Sequence, residues 1–116
     1  MKVIDIVSLE LDISLRQLNI VGQLDSEITV VGVCTGAGAE FVEMAKDSGC
    51  QLFITGDVKY HQAQDAKALG LCLLDVGHYD TEKFFAEAMK EKLDKKLDGK
   101  VEIEASRLNL DPFEIM

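Results

Sequence analysis

The sequence offers little to a nucleic-acid backbone, a membrane or a disulfide framework. Its 12 basic residues face 21 acidic ones, for a formal net charge of −9. A surface of that sign repels phosphates, which excludes nucleic acid as a general partner. No apolar run approaches the roughly 18 residues that a spanning helix needs. Asp5 interrupts the first apolar stretch, where a signal peptide would carry an unbroken one. No membrane association is therefore expected. Cysteine is scarce and odd in number, at Cys34, Cys50 and Cys72, without a C-x-x-C spacing. A disulfide framework and a zinc knuckle are both poorly supported. Each thiol lies in or beside an apolar run, and the expected compartment is a reducing cytoplasm. A G-x-S-x-G elbow is absent, and so is the lysine of a P-loop; Phe41 occupies the position of a third Rossmann glycine. Proline occurs once, at Pro112, and histidine only twice, at His61 and His78.

What is present fits one compact α/β domain. The chain has 116 residues, 47% hydrophobic and 28% charged, enough for a real core. Five apolar runs predict strands: Leu18–Val21, Ile28–Cys34, Cys50–Thr55, Leu71–Asp75 and Val101–Ala105. The second to fourth are nearly continuous, as in a parallel sheet buried on both faces. The last alternates polar and apolar residues, which suits an edge. Helices are predicted over Lys2–Glu10, Ala39–Ser48, Lys59–Leu69 and Thr81–Leu97, with Gly49 and Gly70 marking two of the ends. In the fourth, Phe84, Phe85, Ala88, Met89 and Leu93 repeat at helical spacing and read as a core-facing stripe. The alternation predicts a three-layer α/β/α sandwich with a mostly parallel sheet of about five strands.

Ligands of open parallel sheets bind beyond the carboxyl ends of the strands. There this chain gathers Thr35-Gly36-Ala37-Gly38, Thr55-Gly56-Asp57 with His61, and Asp75-Val76-Gly77-His78 leading to Asp80 and Glu82. His78 and Glu82 are four residues apart at a helix start, which puts both on one face, about 5–6 Å between Cβ atoms. They can reach a common metal ion or substrate. Alternatively, Glu82 complements the helix dipole and His78 is a polar turn residue. The glycine turn at 36–38 reads as a tight strand-to-helix turn rather than an anion cradle, since Glu40 and Glu43 follow it. Asp57 and Asp75 can act as caps or turn acceptors. His61 is open to a packed or a functional role, and Cys34 is a lesser nucleophile candidate.

The blocks Ile54-Thr55-Gly56-Asp57-Val58-Lys59-Tyr60-His61 and Asp75-Val76-Gly77-His78-Tyr79-Asp80-Thr81-Glu82 closely resemble the second half of NIF-three-like proteins. So do Val33–Gly38 and the closing Asn109-Leu110-Asp111-Pro112-Phe113, in the same order. The resemblance runs from about Leu18 to Phe113. It implies half of a NIF-three-like fold in which His78 and Glu82 are ligands of a dinuclear divalent-metal site holding zinc, manganese or iron. It also implies that Thr55, Asp57 and His61 line the same cavity, with Asp57 and His61 as the candidate catalytic groups. The activity implied is that of a metal-dependent hydrolase, labelled GTP cyclohydrolase type-two-like. The family's remaining ligands come from an N-terminal half that nothing before Leu18 resembles. Weak or absent metal binding is therefore expected of this chain alone. The expected partner is a missing N-terminal half or further copies, as a dimer or a hexameric ring joined through the first strand or helix. The other function class is a non-enzymatic assembly module that keeps the fold.

Overall fold

The computed structural model describes residues 3–13, 18–24 and 27–114. Helix α1 (Val3–Glu10) leads to strand β1 (Asn19–Val21) and strand β2 (Val31–Val33). A tight helical turn at Ala39–Phe41 opens α2 (Val42–Asp47), followed by β3 (Leu52–Thr55), α3 (Tyr60–Ala68) and β4 (Cys72–Asp75). Two helices close the chain, α4 (His78–Glu82) and α5 (Phe85–Leu97). Among the described residues, none of these helices is long and apolar enough to cross a membrane.

The sheet order is β1-β4-β3-β2. Strands β2, β3 and β4 are parallel, with Val33 beside Ile54 and Ile54 beside Leu74, while β1 runs antiparallel to β4. The central strands are the continuous apolar runs of the sequence, and Leu52 to Thr55 are buried without exception. Their alternation divides the core. Leu52, Ile54, Cys72 and Leu74 meet Val7 of α1, Ile13 and Val76 on one face. Phe53 and Leu73 meet Val42 and Ala45 of α2 and Ala66 of α3 on the other. Helices thus cover both faces, giving the α/β/α layering. Because the three parallel strands point one way, the turns after Val33, Thr55 and Asp75 emerge at a common rim.

Three expectations need correction. The sheet has four strands among the described residues, one of them antiparallel, rather than about five: Val101–Ala105 joins no strand. The helix predicted over Thr81–Leu97 starts earlier, at His78, and is divided after Glu82. The Thr81 hydroxyl bonds back to the His78 carbonyl at 2.8 Å, a contact that bends helices. Finally, the stripe on α5 is not core. This helix has no buried residue, and Phe85 is 66% exposed. Periodicity identifies the apolar face of a helix but does not say whether the same chain covers it. The radius of gyration, 16.1 Å, exceeds the roughly 13 Å of a compact domain of this length. The predicted helix start at Lys2 lies outside the described residues.

Candidate metal-ligand site

Three turns meet at the rim, and glycine lets them touch. A Cβ on Gly56 would stand 2.6 Å from both Gly77 C and His78 N and 2.8 Å from the Gly36 carbonyl oxygen. Gly56 N–H donates to that carbonyl at 2.9 Å. A Cβ on Gly36, which has φ +74°, would lie 2.6 Å from Glu82 Oε1 and 3.2 Å from His78 Nε2. The β2 turn is therefore pressed against the His78–Glu82 pair.

Buried hydroxyls and one carboxylate fix these turns. Thr55 Oγ1 accepts from Gly38 N–H at 2.9 Å, and Thr81 Oγ1 accepts from Gly36 N–H at 2.6 Å. Asp75 accepts from Val58 N–H at 3.1 Å and from Gly77 N–H at 3.0 Å. It is the turn acceptor that its position suggested. Thr81 is the member of this frame that the sequence reading missed. Its signal was a small hydroxyl one residue before a candidate ligand, with no apolar reason to be buried.

His78 stands between two carboxylates. Its Nδ1 lies 2.6 Å from Asp57 Oδ2, and its Nε2 lies 3.2 Å from Glu82 Oε2. Asp57 reaches the ring from a left-handed backbone conformation, φ 53°, which is uncommon outside glycine and concentrates at functional sites. All three side chains are about half exposed. The hydrogen bond to Asp57 raises the His78 pKa above its usual 6.5, aided by the Glu82 charge and only partly opposed by desolvation. Charging His78 thus stabilises the metal-free fold below about pH 6.5, and that contribution is lost as pH rises through the elevated pKa. Asp57→Asn should move the His78 titration towards 6.5 in the metal-free chain, as followed by ring-proton NMR. An unchanged midpoint would remove Asp57 as the cause.

Both ring nitrogens face negative charge, so the site favours a cation between Nε2 and Glu82. In the metal-free chain the raised His78 pKa favours a proton in that place. With Nδ1–H held by Asp57, the Nε2 lone pair is free for a divalent ion, the carboxylate–histidine pattern of metal sites. The nitrogen and oxygen donors fit such an ion as two ligands of a larger set. Among the described residues, no cluster of three or more His, Cys, Asp or Glu side chains can hold a metal.

The pair opens into a cavity of about 490 Å³ walled by Asp57, Val76, Tyr79, Asp80 and, from the C-terminal segment, Asp111 to Phe113. His61 does not line this cavity; it is exposed in the first turn of α3. Cys34 is half-buried at the end of β2, a free thiol close to Gly38.

An α/β sandwich with a histidine–glutamate pair at its carboxyl rim defines the class. The chain belongs to the Duf34/NIF3 (NGG1p interacting factor 3) family, whose model matches residues 2–112. The match thus extends nearer the N-terminus than the motifs alone indicated. A Clostridium perfringens relative named "GTP cyclohydrolase 1 type 2 homolog" is 35% identical over 117 residues, covering 100% of this chain and 45% of its own length. A Staphylococcus epidermidis relative of the same name is 42% identical over 106 residues, covering 84% of this chain and 29% of its own. The crystal structure of a Bacillus cereus protein related to NIF3 aligns with a TM-score of 0.87 at 35% identity, over 100% of this chain and 33% of that one. The chain thus spans less than half the length of these relatives.

Proposed function

We propose that this chain contributes a histidine–glutamate ligand pair, His78 and Glu82, to a dinuclear divalent-metal site of a hydrolase-type protein, and that another polypeptide completes the site. The observation that carries this reading is His78 held between Asp57 and Glu82 with its Nε2 aimed at the second carboxylate. Zinc, iron and manganese all suit imidazole-plus-carboxylate donors. When bound, such metals lower the pKa of a coordinated water and polarise a substrate oxygen. Asp57 fixes the imidazole tautomer and, being half exposed beside the cavity, can accept a proton from a substrate-side group. His61, exposed in the first turn of α3 and outside this cavity, is a second candidate for proton transfer only by the family resemblance. The name "GTP cyclohydrolase 1 type 2 homolog" carried by the relatives supports GTP-like substrates. The polypeptide completing the site is a second copy, in a dimer or hexameric ring, or the portion of the relatives that this chain does not span. Net charge −9 argues against a nucleic-acid partner, and three free cysteines favour the cytoplasm.

A second reading, an assembly module without catalysis, is favoured by the two-ligand set and by the exposed stripe of α5. Metal titration of the chain alone separates these readings from an unrelated role. Weak zinc or manganese binding is expected, with His78→Ala and Glu82→Gln each lowering affinity at least about tenfold, and Asp57→Asn about 10–100-fold. Tight binding that survives His78→Ala would refute the ligand assignment. Metal-dependent GTP hydrolysis by the chain alone, lost in Glu82→Gln, would show that it completes its own site.

A further inference from the structure

We propose that Thr81 is a positioning residue for the His78–Glu82 pair, acting through the glycine turn at Thr35–Gly38, which closes one side of the pair. This role rests on the reading that the pair ligates a divalent ion. Among the described residues the buried polar side chains are Thr55 and Thr81, and both hydroxyls are directed at this turn. Thr55 Oγ1 accepts from Gly38 N–H, and Thr81 Oγ1 accepts from Gly36 N–H. The Gly36 carbonyl in turn accepts from Gly56 N–H, so the Gly36 residue is fixed from both sides. Thr81 carries a second bond, because the same oxygen donates its proton to the His78 carbonyl. One hydroxyl thus joins the backbone of a ligand residue to the backbone of the turn, 45 residues away in the chain.

What the turn does at the site follows from the side chain that Gly36 lacks. A Cβ there would stand 2.6 Å from Glu82 Oε1 and 3.2 Å from His78 Nε2, the tips of both ligands. Glycine leaves that space open beside them, and its φ of +74° is one that other residues rarely adopt. The turn therefore lies close enough to confine the carboxylate while leaving room for the ligating atoms. The Thr81 bond to Gly36, at 2.6 Å, holds that separation. Removing the hydroxyl leaves a buried N–H without its acceptor, and the turn must shift to find another. The His78 carbonyl loses its donor at the same time. Both changes release the imidazole and the carboxylate from the fixed geometry that ion binding needs.

The test uses the full chain, with zinc titration and hydrogen exchange at Gly36 as readouts. Thr81→Val keeps the shape of the side chain and removes the hydroxyl, which Thr81→Ser restores. In the valine variant the Gly36 amide is expected to exchange about tenfold or more faster, and zinc affinity to fall about tenfold or more. Serine should recover both. Leu71→Val truncates the core just before β4, at the end away from the rim, and should leave zinc affinity unchanged. Zinc binding indifferent to His78→Ala overturns the ligand reading and this role with it. Binding that needs His78 but survives Thr81→Val, or falls equally in Leu71→Val, overturns the positioning role alone. So does a Gly36 amide that ignores the valine, or a serine variant that recovers neither readout. If Thr81→Val does not fold, Gly36→Ala decides: its methyl meets both ligand tips, and undiminished zinc affinity overturns the role.

Discussion

Leu74→Ala is expected to destabilise the chain by about 2–5 kcal/mol, whereas Leu93→Ala should change stability by no more than about 0.5 kcal/mol. Both leucines belong to apolar patterns of similar strength. Leu74 is fully buried on central strand β4, against Leu52, Ile54 and Val76. Its truncation leaves a cavity lined by rigid neighbours. Leu93 is 38% exposed on α5, which has no fully buried residue. Urea unfolding of the two variants checks the contrast. A cost of about 2 kcal/mol or more for Leu93→Ala would mean that α5 packs on the chain after all.

Gly56→Ala is expected to cost about 1–3 kcal/mol and to disturb metal binding beyond that loss of stability. The added methyl meets backbone atoms of Gly77 and His78 at 2.6 Å, and backbone cannot rotate away as a side chain can. Either the Gly77–His78 turn or the Gly36 turn must retreat, carrying His78 from Glu82 or opening the Thr81–Gly36 bond. Thermal unfolding together with metal titration checks both parts. Wild-type stability would show that the three turns are not in contact.

The buried strands were legible because a parallel strand covered on both faces has to be apolar along its whole length, as at Leu52–Ile54 and Cys72–Leu74. The rim was legible for a related reason: glycines at 36, 56 and 77 announced close turns at three strand ends, and His78 and Glu82 stood one helical turn apart. Two things were not legible. The sequence could not reveal that the α5 stripe and the alternating Val101–Ala105 lack cover, because alternation and periodicity describe a segment's faces and not its neighbours. The tertiary role of Thr81 was also hidden, since its hydroxyl acts on Gly36, 45 residues away in the chain. His78 and Asp57 are 21 residues apart, and only the parallel course of β3 and β4 brings their turns together.

X-ray absorption on the zinc-loaded chain tests the central claim most directly. The account predicts imidazole nitrogen and carboxylate oxygen at about 2.0–2.2 Å, with the imidazole signature lost in His78→Ala. A coordination shell unchanged by His78→Ala, or sulfur at about 2.3 Å from a thiol such as Cys34, would contradict it.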